Sequence, residues 1–245
     1  MQRYFIEGHV PENHKVTITG DDAKHIAKVM RQSEGDQLIV VAGGKAFLST
    51  ILSAEFDVEV HIDNEIEADV EMPKQVTIAC GLPKGDKLEL IAQKSTELGM
   101  HALIPFAAER SIVKWDGSKS EKKRVRLQKI AKEAAEQSHR THIPYIHNIH
   151  TFKQLMEAAR SFDAVIVAYE EEARDSSRKR FAETLKSLYD KDSILLVFGP
   201  EGGISEVEVS LLKESGALFT SLGPRILRTE TAPLYALSAM SYEFE

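Results

Sequence analysis

Apolar and polar residues alternate with a period near two through roughly the first seventy positions, and after Pro73 short apolar runs stand between stretches of helical spacing. A period of two places successive side chains on opposite faces of a strand, whereas apolar residues three and four apart share one face of a helix. On that basis "RYFIE", "KVTIT", "DQLIVVAGGKAFLSTILSA" and "DVEVHIDNEIE" predict strands, with Gly43 and Gly44 as a hairpin turn. One short helix is predicted from Asp21 or Asp22, burying Ile26, Val29 and Met30. A unit so small and rich in strands is expected to form a barrel.

Beyond Pro73, "QVTIACGL", "ALIPF", "DAVIVAY", "SILLVFG" and "ALFTSLG" read as short strands flanked by helical patterns. The helix after the first of them carries Leu88, Ile91 and Leu98, with Gly99 as its stop. Such alternation predicts an α/β domain with a largely parallel sheet. Residues 55–71 hold eight carboxylates and no lysine or arginine, and the run ends at Met72 and Pro73. The chain is therefore expected to divide into a β-rich domain over residues 1–72 and an α/β domain over 73–245. Its 245 residues suit two cores better than one.

Composition adds exclusions. The one cysteine, Cys80, has no partner and lies in an apolar run, so it is expected to be packing in a chain kept in a reducing cytoplasm. No apolar run approaches a membrane span, and the start lacks the apolar core of a signal peptide. The net charge of −7 is unevenly spread: residues 1–72 carry 6 Lys/Arg against 14 Asp/Glu, while residues 110–142 carry ten against four. That is a basic patch in an acidic protein.

Two strand-to-helix junctions concentrate the polar chemistry. After "SILLVF" comes "GPEGGIS", where three glycines permit tight turns and bare amides, and Ser205 with Glu208 forms a capping box. A phosphate-binding loop needs a lysine after the last glycine, and Ile204 stands there instead. The turn is either a steric necessity or a ligand loop at the carboxyl end of the sheet. The second junction, "LGPRILRTE", is too polar for a core, and Thr231 is expected to cap the helix that follows, with Pro233 in its first turn. Arg228 and Glu230 have two readings there, local ion pairing or chemistry. That last helix is apolar on most sides, which predicts burial all round or by a partner.

"GPEGG" followed by "LGPRILRTETA", with "QKSTELG", "ERSIVK" and "EAAEQSHRTHIP" upstream, closely resembles the SPOUT superfamily of S-adenosylmethionine-dependent RNA methyltransferases, and within it the RsmE family that methylates N3 of a uracil in 16S ribosomal RNA. The resemblance spans most of residues 75–240. It implies a trefoil knot at the C-terminus, a PUA-like RNA-binding barrel at the start, and a homodimer. It also implies that S-adenosylmethionine touches three loops: Tyr169 and the turn after it; Gly199, Pro200, Glu201, Gly202, Gly203 and Ile204; and Leu222, Gly223, Ile226, Leu227 and Arg228.

Arg110, Lys114, Lys122, Lys123, Arg124, Arg126, Gln137 and Arg140 are the expected RNA contacts, on or beside a helix whose inner face is Leu127, Ile130, Ala131, Ala134 and Ser138. Cations at the start of a helix oppose its dipole, a cost that RNA phosphates would offset. Trp115 either packs or stacks on a base. His139, His142, His147 and His150 have no cysteine or acid to complete a tetrahedral site, so no metal is expected. Uracil N3 carries a proton, so Arg228 is expected to stabilise negative charge on the carbonyls, and Glu230 or a water it orients to take the proton. The rivals are a methyltransferase for another RNA, on a tRNA base or ribose, and a non-enzymatic RNA-binding module.

Overall fold

The computed structural model describes residues 1–115, 117–169 and 181–245, and the chain separates into two compact units. The first comprises Met1–Glu71 with Ala135–His142, and the second Met72–Ala134 with Ile143–Glu245.

The first unit is a five-stranded sheet of β1 (Arg3–Phe5), β2 (Lys15–Ile18), β3 (Gln37–Ala42), β4 (Lys45–Ala54) and β5 (Val58–Ile66), in the order β1-β3-β4-β5-β2. Only β1 and β3 pair in parallel. Gly43 and Gly44, with φ of 56° and 77°, make the β3–β4 hairpin, a backbone open to glycine at little cost. Two register shifts between β4 and β5 increase the local twist. Tyr4, Leu38, Val40, Ile51 and Val60 fill one face, while Ile39, Val41 and Ala46 are covered on the other, which is why β3 is apolar at nearly every position.

The predicted short helix is α1 (Gly20–Lys24), which runs on as a π-helical turn over His25–Val29. The wider turn rotates the face: Ala23 and Ile26 are buried, but Val29 and Met30 are exposed, against the sequence expectation.

The second unit contains β6 (Gln75–Gly81), α2 (Lys87–Glu97), β7 (Ala102–Ala107), α3 (Gly117–Gln137), β8 (Tyr145–Ile146), β9 (His150–Thr151), α4 (Phe152–Ala159), β10 (Ala164–Ala168), α5 (Phe181–Lys186), β11 (Ser193–Phe198), α6 (Glu206–Glu214), β12 (Leu218–Thr220) and α7 (Thr231–Phe244). Every pairing in its sheet is parallel, in the order β12-β10-β11-β6-β7-β8, with β9 also on β7. The last residues of α3 fall in the first unit.

Alternation along β11 divides the core in two. Ile194, Leu196 and Phe198 face α2, α3, α5 and α7, whereas Leu195 and Val197 face α4 and α6. Each fully buried aliphatic side chain contributes about 1.5–3 kcal/mol, and a sheet covered on both faces collects that from successive residues. Cys80 is one of those core residues, and burial pushes its thiol up to about 12, which keeps it unreactive. Trp115 packs against the same core.

Of the two readings of helix α7, burial all round within this chain is not what the structure has. Pro233, Ala236, Leu237 and Met240 are buried on one face, but Tyr235 and Tyr242 on the other are 42% and 91% exposed. The helix begins at Thr231 itself, and no side chain caps it. Among the described residues no helix is long and apolar enough to cross a membrane.

Candidate active site

The register of the sheet puts Phe198, Ala168 and Thr220 side by side at the carboxyl ends of β11, β10 and β12. The turns that leave β11 and β12 thus flank the end of β10, about 10 Å apart at two strand spacings. Strand order reverses between β11 and β6, so this edge is the crevice in which open α/β sheets hold ligands.

The turn after β11 is closely packed. Gly81, at the end of β6, has no room for a side chain: a Cβ there would lie 2.5 Å from Pro200 Cδ and 2.7 Å from Pro200 N. Gly199 and Gly202 are confined less severely: a Cβ would lie 3.0 Å from Gly203 C and Ile204 Cγ1 in the first, and 3.0 Å from the Arg110 carbonyl oxygen in the second. The Gly203 amide donates to Pro200 O at 2.8 Å, with Gly203 at φ 74°. Ile204 is buried in the core below. The capping box is present: Ser205 Oγ accepts from the Glu208 amide at 3.3 Å, and Glu208 Oε2 accepts from the Ser205 amide at 2.9 Å. The other oxygen of Glu208 accepts from the Glu109 amide at 2.9 Å, which joins the "ERS" segment to this turn.

The turn after β12 is looser. Ser221 Oγ donates to Gly223 O at 2.9 Å, and Gly223 has φ 129° with open space where a side chain would stand. Leu222 packs on the core, Leu227 is half-buried, and Ile226 is 76% exposed. Arg228 is exposed and makes no ion pair among the described residues, and its carbonyl accepts from the amides of Thr231 and Ala232 at 2.8 and 3.0 Å. The Tyr169 amide donates to Thr220 O at 3.1 Å, and its ring stands edge-on to Phe219. The turn that follows Tyr169 lies outside the described residues.

One residue that the sequence reading missed spans the two turns. Lys87, the first residue of α2, places Nζ 2.8 Å from Glu201 Oε1 and 3.3 Å from Glu230 Oε2. The Glu201 contact is a well-formed hydrogen bond, supplemented by the Lys84 amide at 3.1 Å. The Glu230 contact is an ion pair off the line of a hydrogen bond, and that buried oxygen has no aligned donor. The hydrogen bond to Glu201 is the first cause that raises the Lys87 pKa, so its charge is secure. Nothing in the local sequence distinguishes Lys87 from a solvated surface lysine.

The expected RNA contacts separate into three groups. Arg110, Lys114, Lys122 and Gln137 are exposed. Lys123 and Arg126 both meet Glu89, at 3.8 and 2.6 Å, and Arg124 is bidentate on Glu121, so much of the patch charge is internally balanced. α3 starts at Gly117, a turn before these cations, which weakens the dipole argument. Arg140 is corrected outright: it is 3% exposed, and its guanidinium is engaged by Glu71, with Nε 3.0 Å from Glu71 Oε2. A charge run cannot reveal an acid 69 residues away. No cluster of three His, Cys, Asp or Glu side chains suited to a metal occurs among the described residues.

A parallel sheet with glycine-lined turns at its carboxyl edge, joined to a small β unit, defines a class that similarity to known proteins identifies. A family model described as an RNA methyltransferase domain matches residues 70–241, and one described as an RNA methyltransferase PUA domain matches 18–60. The chain is 49% identical to the ribosomal RNA small subunit methyltransferase E of Bacillus subtilis, covering all of this chain and 98% of that one. It is 34% identical to its namesake in Synechocystis, over 92% of this chain and 72% of the other. The crystal structure of a ribosomal RNA small subunit methyltransferase E from Neisseria gonorrhoeae, bound to S-adenosyl methionine, superposes with a TM-score of 0.87 at 29% identity, covering 100% and 98% of the two chains. The chain belongs to the ribosomal RNA small subunit methyltransferase E family of RNA methyltransferases.

Proposed function

We propose that the chain transfers the methyl group of S-adenosylmethionine to N3 of one uridine in 16S ribosomal RNA, acting in the cytoplasm as a homodimer. The carrying observation is the convergence of two backbone turns on one lysine: Glu201 of the first and Glu230 of the second lie within reach of a single ammonium. Gly203 has open space where a side chain would stand, and the close packing around Gly199 and Gly81 fixes the shape of the turn, as a preformed seat for a nucleoside requires. Tyr169, Pro200, Glu201, Ile204, Leu222, Gly223, Ile226 and Leu227 complete that seat. When bound there, S-adenosylmethionine supplies a methyl group activated by its sulfonium.

The chain's own part is alignment and charge. Proximity can supply a large share of the rate enhancement. As the new N3–CH3 bond forms, the N3–H proton passes to Glu230 or to a water it orients, and negative charge on the uracil carbonyls faces Arg228. A carboxylate is a weak base for so weak an acid, so the larger share falls to Arg228. A uracil in stacked RNA must first be extruded, at about a few kcal/mol. Arg110, Lys114, Lys122 and Gln137 are placed to meet phosphates, and the first domain, taken as residues 1–72, adds an RNA-binding surface. The exposed face of α7 with Tyr235 and Tyr242 suits a dimer contact, and the family likeness supports a trefoil knot in the second domain, taken as residues 73–245.

The test has two parts. Calorimetry should register S-adenosylmethionine binding, and nucleoside mapping of 16S ribosomal RNA from cells with and without the protein should differ at one N3-methyluridine. A protein that does not bind the donor is an RNA-binding module, and a change in tRNA alone replaces the substrate.

A further inference from the structure

We propose that Lys87 is a positioning residue for this reaction: shared between Glu201 and Glu230, its ammonium holds the Glu230 carboxylate in place and makes that place depend on the turn that seats the methyl donor. The proposal rests on the reading of Glu230 given above.

Three observations support it. First, Lys87 opens α2, where the helix dipole disfavours a cation, so its position makes electrostatic sense only with the two carboxylates it meets. Second, the two contacts are unequal. Glu201 takes Lys87 Nζ at 2.8 Å and the Lys84 amide at 3.1 Å, which anchors the lysine on the donor side. Glu230 has Lys87 alone, at 3.3 Å and poorly aligned, on an oxygen that is buried and otherwise without a donor. A carboxylate held by charge with its hydrogen-bonding direction unspent is suited to accept a proton from elsewhere. Third, the link is indirect in sequence and short in space: residues 87, 201 and 230 come from three separate loop or helix starts, and α2 packs beside α7. Occupancy of the turn that carries Glu201 is thereby felt at Glu230 without any contact between the two acids.

Steady-state kinetics with S-adenosylmethionine and 16S ribosomal RNA test this on Lys87→Met, Lys87→Gln, Lys87→Arg, Glu230→Gln and the Lys87→Met/Glu230→Gln pair, with thermal midpoints measured in parallel. Removing the charge should lower kcat by about tenfold to a hundredfold, the scale of a modest misplacement of reacting groups, and arginine should recover most of it. In the Glu230→Gln background, Lys87→Met should cost less than about threefold more, because residues that act as a unit are not additive. The loss should fall on kcat, with KM for 16S ribosomal RNA within a few-fold in every variant. A purely structural lysine would lower the midpoint, with no rescue by arginine of kcat at unchanged KM and no non-additivity with Glu230→Gln. If Glu230→Gln turns over like the unmodified enzyme, the reading of Glu230 fails and takes this proposal with it. If Glu230→Gln is impaired while Lys87→Met is not, or the two losses multiply, the role of Lys87 alone is overturned.

Discussion

The two turns that flank the end of β10 are built to opposite standards. The one after β11 is held from every side: by the absence of side chains at Gly81 and Gly199, by the Arg110 backbone beneath Gly202, by Glu208, and by the Lys84 and Lys87 donors to Glu201. The one after β12 has the Ser221–Gly223 contact, the carbonyl of Arg228 at the start of α7 and one loose ion pair at Glu230, with Ile226 and Arg228 in solvent. Rigidity at a site lowers the ordering cost of binding, whereas a segment with few buried contacts can adapt to what arrives. We read the first turn as the fixed side of the methyl donor's seat, and the second as its less constrained side, which also faces the larger reactant.

The largest expected effect belongs to the second turn. Arg228→Ala should lower kcat by about a hundredfold to a thousandfold, the usual loss when one donor to a developing anion is removed, with the Kd for S-adenosylmethionine within a few-fold. Isothermal calorimetry beside single-turnover kinetics separates the two. Weak donor binding with normal turnover at saturation would place Arg228 in the seat and erase the distinction between the turns.

Paired glycine substitutions test the distinction directly. In Gly199→Ala the new methyl group would meet Gly203 and Ile204 at 3.0 Å, backbone included, so the packed turn must give by a few tenths of an ångström. In Gly223→Ala nothing lies within 4 Å, and the cost is the backbone strain of φ 129°, about 1–3 kcal/mol, which a loop with open space around it can relieve by rotating. Donor affinity is predicted to fall by about a hundredfold in the first and by no more than about tenfold in the second. Equal losses would mean that both turns are equally fixed.

Glu208→Gln is a milder probe of the seat. Glutamine has one acceptor where the carboxylate uses two, so one of the Ser205 and Glu109 amides loses its partner and the amide nitrogen faces a donor. A loss of about 1–3 kcal/mol in unfolding free energy is expected, measurable by denaturant titration, accompanied by weaker donor binding. Unchanged stability would show that the amides are satisfied without Glu208.

How far the sequence discloses this contrast depends on the range of the interactions. Short apolar runs and helical spacing reveal β6, β7, β10 and β11 and the helices between them, because those patterns arise from burial within each element. The capping box at Ser205 and Glu208 is equally local, and so is the stop at Gly99, which has φ 88°. The two-residue strands β8 and β9 are too short to show a period, and the π-helical turn after Lys24 depends on how the helix sits over Tyr4, whose hydroxyl is 2.9 Å from His25 Nδ1. At the site, the glycines and the Arg228 and Glu230 pair stand out in "GPEGG" and "RTET". Lys87 and the burial of Arg140 do not, since each is decided by a carboxylate more than sixty residues distant in sequence.

The smallest predicted effect is a pH dependence confined to the seat. Burial alone would raise the Glu201 pKa, but the hydrogen bond from Lys87, backbone amides and the lysine charge outweigh it and hold it below the ordinary 4.5. A carboxylate depressed in the folded state binds fewer protons there than when unfolded, so its contribution is complete above 4.5 and is lost as the pH falls through the lower folded value. Donor affinity and thermal stability should therefore be flat, as far as this group is concerned, from neutral pH down to about 5 and decline below that. Because Glu201 is partly exposed, solvent screening keeps the change small. In Glu201→Gln this acid-side decline in donor affinity should shrink, while the turn after β12, which has no such fully bonded acid, contributes no compensating trend. A decline of the same size in the variant would assign the acid sensitivity elsewhere and remove Glu201 from the set of contacts that fix the seat.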